Sequence, residues 1–81
     1  MNGPVFLIQM PRRRSLRRRI EWRIHPDDYE VHATYESAKR SAEYSRPHWH
    51  RIERYGNQLA TAYRIDGEPL WRIVGLDIVE S

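Results

Sequence analysis

The sequence predicts a small α+β fold in which one helix packs on one face of a mostly antiparallel sheet of about five to six short strands. Three observations favour this class. Several short segments alternate apolar and polar residues, turn dipeptides separate them, and one central segment has the spacing of an amphipathic helix. With 81 residues, the chain is expected to be a single domain over residues 1–81. Because it has no cysteine, its stability must come from packed aliphatic and aromatic side chains.

The first part of the chain predicts two strands joined by a basic segment. Residues 5–10 have the composition of a strand. Pro11 has no N–H to donate, so it is expected to end this strand or to place it at an edge. Residues 18–25 alternate with a period of two and form the second predicted strand. The alternation directs Ile20, Trp22 and Ile24 inward and Arg17, Arg19 and Arg23 outward.

Residues 26–35 are open to two interpretations. A Pro-Asp-Asp tripeptide at the start is typical of a turn, and the alternation over residues 29–35 favours a strand that pairs with residues 18–25. A helix is the alternative, because apolar residues recur at helical spacing from Val31 to Ala42. We favour the strand, because tyrosine, valine and threonine are concentrated in this segment.

A helix is predicted over residues 36–45, packed on one face of the sheet. Thr34 is the candidate N-cap. Pro47 is expected to end the helix, because proline disfavours a helical residue before it. The small alanines of the buried stripe would let the helix lie close to the sheet. This stripe consists of Tyr35, Ala38 and Ala42.

The C-terminal half predicts a three-stranded antiparallel meander. Its strands are expected at residues 48–55, 58–65 and 70–76. Gly56-Asn57 is a tight-turn dipeptide between the first two strands, and residues 66–69 have the composition of a second turn. A short helix before Gly56 is the alternative for the first strand, because its apolar residues also fit helical spacing: Trp49, Ile52 and Tyr55.

Positive charge is concentrated near the N-terminus. Residues 1–25 hold seven arginines and one glutamate, a formal charge of +6, whereas residues 26–81 carry seven basic and ten acidic side chains, a formal charge of −3. Residues 11–19 are therefore interpreted as a basic arm, either a loop or a hairpin. Guanidinium groups stay charged and pair with phosphate through two parallel hydrogen bonds. The candidate binding residues are Arg12, Arg13, Arg14, Arg17, Arg18, Arg19 and Arg23.

This asymmetry predicts a small non-catalytic module that docks through the arm onto nucleic acid. An acidic protein or nucleoprotein surface is the alternative partner. That alternative is compatible with a phage- or plasmid-type inhibitor, similar in size to anti-CRISPR proteins, which blocks a larger host protein. DNA, RNA and protein partners all fit the charge pattern, and so does a homodimer.

Two short segments resemble known families. Arg12-Arg13-Arg14 and Arg17-Arg18-Arg19, followed by Trp22, resemble the arginine-rich RNA-binding motifs of phage antitermination proteins, which implies RNA binding. Residues 62–68 and 71–74, with Glu21-Trp22 near a first strand, look like parts of RelE/ParE-type toxins. That second resemblance implies a ribonuclease and is a second alternative to the binding module. Its acid–base side chains would be Tyr63, Arg64 and Arg72.

No catalytic site, cofactor or metal is predicted. The sequence lacks the G-x-S-x-G, phosphate-binding glycine-loop and H-E-x-x-H motifs, and Asp27-Asp28 is assigned to a turn. His48 and His50 form an H-x-H pair, but no cysteine and no carboxylate at ligand spacing accompanies them. The N-terminal apolar run is too short for a signal peptide or a membrane span, so a cytoplasmic protein without membrane contact is expected.

Overall fold

The computed structural model describes residues 3–13, 20–23, 31–44, 46, 48–56 and 58–78. Within these ranges the chain forms five strands and one helix. In chain order they are β1 (Gly3–Arg13), β2 (Ile20–Arg23), α1 (Tyr35–Tyr44), β3 (Arg51–Tyr55), β4 (Leu59–Tyr63) and β5 (Pro69–Ile78).

All five strands belong to one antiparallel sheet in the order β2-β1-β5-β4-β3. The first and last strands lie side by side, with Gly3 opposite Ile78 and Gln9 opposite Arg72. The helix packs against these two strands. The predicted class, a small α+β domain with one helix on one face of a mostly antiparallel sheet, is confirmed.

β1 continues past Pro11 to Arg13, so the prediction that this proline ends the strand is wrong. Backbone direction explains why. The N–H and C=O of Phe6 point to His32, away from β5, and these directions alternate along a strand. Pro11 therefore turns its nitrogen towards β5, whose pairing with β1 stops at Gln9. The missing N–H costs no ladder hydrogen bond, which agrees with the alternative expectation of an edge position.

β2 pairs with β1 as a hairpin, with Arg13 opposite Ile20. The predicted pairing of residues 18–25 with residues 29–35 is therefore wrong. Within the described part of the second segment, residues 31–35, the favoured strand is reduced to one isolated bridge between His32 and Phe6 of β1, and the helix starts at Tyr35. The His32 N–H donates to the Phe6 carbonyl at 2.9 Å, and the His32 carbonyl accepts the Phe6 N–H at 2.8 Å. Residues 18–25 and residues 29–35 alternate in the same way, so the alternation does not specify their partners. In the structure both segments pair with the edge of β1 that β5 does not occupy.

The helix, Tyr35–Tyr44, begins one residue before the predicted start, and the predicted last residue, Ser45, lies outside the described residues. Thr34 is its N-cap, because its Oγ1 accepts the N–H of Ser37 at 3.1 Å. Ala38 and Ala42 are fully buried, and Tyr35 packs against the core. The predicted cap and the predicted buried stripe are both confirmed.

Replacing Thr34 with alanine is expected to lower the free energy of unfolding by about 1 kcal/mol, because the Ser37 N–H loses its acceptor. Urea denaturation followed by far-UV circular dichroism measures the change. Thr34→Ser keeps the hydroxyl and serves as the control. Equal stability of the alanine and serine variants would contradict the capping role.

Arg46 binds the C-terminal end of the helix. Its Nη1 donates to the carbonyl oxygens of Ser41 at 3.2 Å and Ala42 at 3.1 Å, and its Nε donates to Sδ of Met10 at 3.0 Å. Burial lowers the pKa of this guanidinium. Two helix carbonyls thus gain a charged donor, and the helix end is tied to β1.

β3, β4 and β5 form the predicted meander, and the helical alternative for residues 48–55 is wrong. Gly56 and Gly67 lie in its two turns, with φ angles of 57° and 88°. Glycine adopts such angles without a steric penalty, which explains its place in both turns. In the second turn, the Asp66 carboxylate also accepts the N–H of Glu68 at 3.0 Å.

The core lies between the helix and the sheet. Trp71, Ile8 and Ile73 are the largest fully buried side chains, and Ala38 and Ala42 of the helix pack in the same cluster. Among the described residues, the indole N–H of Trp71 has no hydrogen-bond partner. Trp71 therefore contributes to stability through packing alone.

Some predicted features lie outside the described residues. They are the loop of the basic arm at residues 14–19, the turn at residues 26–28 and Pro47 as the helix stop. Among the helices that the structure describes, none is long and apolar enough to cross a membrane.

Candidate nucleic-acid interface

The two faces of the sheet differ in what covers them. Opposed residues of antiparallel strands point to the same face, and successive residues point to opposite faces. Ile8 and Ile73 lie in the core cluster under the helix, so Leu7 and Val74 point to the other face. In the described ranges no helix covers that face, which we call the open face. Its described side chains are Val5, Leu7, Gln9, Pro11, Ile20, Trp22, Arg51, Glu53, Tyr55, Leu59, Thr61, Tyr63, Arg72, Val74 and Leu76.

Three rows of side chains cross the open face from strand to strand. The apolar row consists of Leu7, Val74, Leu59 and Tyr55. The polar row beside it consists of Gln9, Arg72, Thr61 and Glu53. The aromatic row, nearest the connection between β1 and β2, consists of two cross-strand groups: Trp22 with Pro11, and Pro69 with Tyr63 and Arg51. Aromatic and basic side chains are thus grouped at the end of the sheet where the basic arm begins.

Trp22 and Ile20 lie on the open face, so the prediction that they point into the core is wrong. Ile24, the third residue of that prediction, lies outside the described residues. Trp22 stands opposite Pro11 on the edge strand β2, where it is half-buried. The register of β2 against β1 turns the apolar side of β2 to the face opposite the helix. The guanidinium carbon of Arg72 lies 4.5 Å from the centroid of the Trp22 ring.

Arg72 is held in place over Trp22. Its Nε donates a hydrogen bond to Oε1 of Gln9, its neighbour in the polar row. Burial lowers the pKa of the Arg72 guanidinium, which nevertheless remains charged at neutral pH because arginine starts so far above it. Among the described contacts, no carboxylate pairs with Arg72. A positioned cation without a carboxylate partner among the described residues therefore lies beside the indole.

A second guanidinium–aromatic pair lies at the other side of the open face. The guanidinium carbon of Arg51 lies 4.5 Å from the centroid of the Tyr63 ring. Nη2 of Arg51 also lies 3.5 Å from Oε1 of Glu53, and the Tyr55 hydroxyl donates to Oε2 of Glu53 at 3.3 Å. The negative charge of Glu53 raises the pKa of Tyr55. Exposed ion pairs of this kind are weak, so Arg51 can exchange Glu53 for a phosphate at low cost.

A concavity opens beside the aromatic row. It is lined by Pro11, Ile20, Arg64, Glu68 and Pro69. Pro11 is the cross-strand partner of Trp22, and Pro69 is the cross-strand partner of Tyr63. The concavity therefore adjoins both guanidinium–aromatic pairs.

The structure describes only some of the predicted binding arginines. Arg12 is exposed on β1, and Arg23 is exposed on β2, with its Nη2 3.4 Å from a Glu21 carboxylate oxygen. Both point to the face opposite Trp22. The backbone of Arg13 forms the end of β1. The others lie outside the described residues: Arg14, Arg17, Arg18 and Arg19.

The toxin resemblance implies three acid–base residues, and these have separate partners in the structure: Tyr63, Arg64 and Arg72. Nη2 of Arg64 lies 3.0 Å from Oδ2 of Asp66, whereas Tyr63 and Arg72 contact other side chains of the open face. None of the described hydrogen bonds, ion pairs or ring contacts joins any two of these three residues. The described contacts therefore do not join these three residues into one cluster.

His48 and His50 directly precede β3, and the backbone N–H of His50 donates to the Tyr63 carbonyl at 2.8 Å. The His48 ring stacks on Trp49 with 5.6 Å between centroids and 17° between planes. The indole N–H of Trp49 donates to Glu43 at 2.8 Å, and this bond is the main cause that lowers the pKa of Glu43. Across the described ranges, no group of three or more histidine, aspartate and glutamate side chains is arranged to hold a metal ion.

Sequence reasoning missed Gln9 and Arg51 as members of a possible site. A signal was present for Arg51, because it alternates with the apolar Ile52. Such alternation shows that a strand has two chemically different faces. It does not show that the polar sides of four strands form one surface.

The fold and the site together define a small α+β domain with one helix-covered face and one open face carrying aromatic and basic side chains. Comparison of the chain with family models, curated proteins and solved structures gave no match. The resemblances to antitermination proteins and to RelE/ParE-type toxins therefore stay predictions from the sequence.

Proposed function

We propose that this protein is a small non-catalytic module that binds nucleic acid through the basic hairpin of β1 and β2. The observation that carries the proposal is the pairing of the two strands. Arg13 stands opposite Ile20, so the arginine-rich residues 14–19 connect two strand ends that lie side by side. One hairpin thus holds six arginines within residues 12–19.

The charge balance of the hairpin supports a polyanionic partner. Between Met10 and Arg23 the only acidic side chain is Glu21. Its contact with Arg23 at 3.4 Å joins two solvent-exposed groups and contributes at most about 1 kcal/mol. Phosphates compete readily with such a pair, because they release condensed counterions when arginine neutralises them.

The proposal is one of binding without catalysis. Catalysis requires convergent acid, base or nucleophilic groups, and the candidates Tyr63, Arg64 and Arg72 have separate contacts. A phosphate-binding hairpin needs no such convergence.

The test is a salt titration of the purified protein. Its affinity for a fluorescein-labelled oligonucleotide, measured by fluorescence anisotropy, is expected to fall linearly with salt on a double logarithmic scale, between about 50 and 200 mM salt. The slope gives the number of phosphates neutralised, at about 0.9 per phosphate on a duplex. Absence of binding to both single strands and duplexes at the lowest salt would refute the proposal, as would an affinity independent of salt.

A protein partner is the second candidate, and exposed apolar side chains at the other end of the open face favour it. Tyr55 and Leu76 are 61% and 46% exposed there. Aromatic and apolar side chains of this kind contribute much of the energy of protein interfaces. Co-purification from lysate separates the two candidates. A stoichiometric protein that persists after nuclease treatment supports this second function, whereas loss of all partners after nuclease supports the first.

A further inference from the structure

We infer that the open face binds unpaired nucleotides, with bases stacked on Trp22 and Tyr63 and phosphates contacted by Arg72 and Arg51. This inference rests on the proposed function and deepens it, because it names single-stranded nucleic acid as the substrate class. It concerns the face of the sheet opposite Arg12 and Arg23, which the basic hairpin alone does not explain.

The first argument is the composition and geometry of the two pairs. Each consists of an aromatic ring with a guanidinium carbon 4.5 Å from its centroid. Aromatic rings and guanidinium planes are the two surfaces on which proteins stack unpaired bases. Trp22 and Tyr63 are both half-buried residues, and each ring carries a guanidinium over one face, so a base would stack on the other face.

The second argument is the distance between the pairs. Trp22 on β2 and Tyr63 on β4 are separated by β1 and β5. Three strand intervals correspond to about 14 Å. In a duplex, each base is covered on both faces by neighbours about 3.4 Å away, so neither ring can stack on a base inside it. Two separated stacking sites therefore fit a strand whose bases are splayed apart.

The third argument is the surface between the two pairs. Pro11 and Pro69 line the concavity that adjoins them, and neither residue has a backbone N–H that would need a partner there. Proline rings also provide flat apolar contacts. A nucleotide between the two stacked bases would lie over this concavity.

The fourth argument is charge. The described ionisable side chains on the open-face strands are Arg72, Arg51, Glu53 and the phenols, and Glu53 is already shared by Arg51 and the Tyr55 hydroxyl. The adjoining concavity adds one residue of each charge, Arg64 and Glu68. Arg72 has no acidic partner among the described residues, and its Nε is used by Gln9. Its terminal nitrogens, which have no described acceptor, suit a phosphate beside Trp22.

The experiment compares a fluorescein-labelled oligothymidylate with the same strand annealed to oligoadenylate. Trp22→Ala and Tyr63→Ala are each expected to weaken binding of the single strand by about 5- to 150-fold, the range for loss of one stacked base. Duplex affinity and the salt slope should change by less than about twofold, because the arginines are untouched. Tyr55→Ala removes an exposed aromatic ring from the apolar row of the same face and serves as the matched control.

A second measurement is informative even if the alanine variants do not fold. Trp71 is fully buried and Trp49 is bonded to Glu43, so Trp22 is the tryptophan on the open face. Oligothymidylate should quench its fluorescence in the wild type. Trp22→Phe should retain single-strand affinity within about fivefold, because phenylalanine also stacks, but should lose most of the quenching.

The outcomes separate the inference from the proposed function. If single strand and duplex bind equally and neither alanine variant affects either, the open-face inference is wrong while nucleic-acid binding by the hairpin stands. If no nucleic acid binds at low salt, both are wrong. If Trp22→Ala instead converts a dimer to a monomer in sedimentation experiments, the open face is a homodimer interface and the inference is overturned.

Discussion

Replacing Trp71 with alanine is expected to remove a large part of the protein's free energy of unfolding. Trp71 is the largest fully buried side chain, and it lies on β5, between β1 and β4. Such a truncation costs about 3–5 kcal/mol, because it removes apolar contacts and leaves a cavity. At roughly 0.05–0.15 kcal/mol per residue, a domain of this length has a total stability of only about 4–12 kcal/mol.

Urea denaturation followed by far-UV circular dichroism measures this effect, and two variants control for it. Trp71→Phe should lose less, because an aromatic ring stays in the core and no described hydrogen bond to the indole is lost. Ile65→Ala removes a side chain that is 83% exposed and should change stability by less than about 0.5 kcal/mol. A Trp71→Ala midpoint equal to that of Ile65→Ala would show that the helix and sheet do not share this core.

Replacing the six arginines within residues 12–19 with glutamine is expected to abolish measurable nucleic-acid binding at physiological salt. Each arginine that contacts a phosphate contributes about 0.9 to the slope of log affinity against log salt on a duplex, and about 0.7 on a single strand. Loss of several such contacts should weaken binding by at least about 100-fold and flatten the slope. The glutamines keep hydrogen-bonding capacity, so the loss reports on charge.

Two double variants test whether binding depends on the charges of the hairpin or only on the net charge of the protein. Arg17→Gln with Arg18→Gln, and Lys39→Gln with Arg40→Gln, remove two positive charges each, from the hairpin and from the helix respectively. Only the hairpin variant should reduce the salt slope, by about 1.8 on a duplex if both residues contact phosphate. If the helix variant lowers affinity and slope as much as the hairpin variant, binding follows net charge, and the hairpin is not the site.

Local chemistry explains which elements could be predicted. Thr34 caps the helix through a bond that spans three residues, and Ala38 and Ala42 mark its buried face through spacing along one helix. Gly56 and Gly67 supply positive φ angles in turns of a few residues. In each case the interacting groups lie close together in the chain, so the sequence pattern contains all of the partners.

Non-local pairing explains which elements were predicted wrongly. β1 continues through Pro11 because pairing with β5 stops at Gln9, so the missing N–H on that side costs no hydrogen bond. Trp22 alternates like a core residue, yet its register opposite Pro11 places it on the face that the helix does not cover. Alternation along one strand shows that its two sides differ, but a distant element decides which side is covered.

The sequence by itself determined the composition of the candidate site: the arginine-rich segment within residues 12–19, the charge asymmetry, and the α+β class with its helix and meander. Only the tertiary structure decided that β1 and β5 pair at the centre of the sheet, that β2 folds back on β1, and that Arg72 reaches Trp22 while Arg51 reaches Tyr63. The physical reason is that these contacts join residues from different strands. Their register depends on backbone hydrogen bonds and shared burial across the whole sheet, which no single segment of the chain specifies.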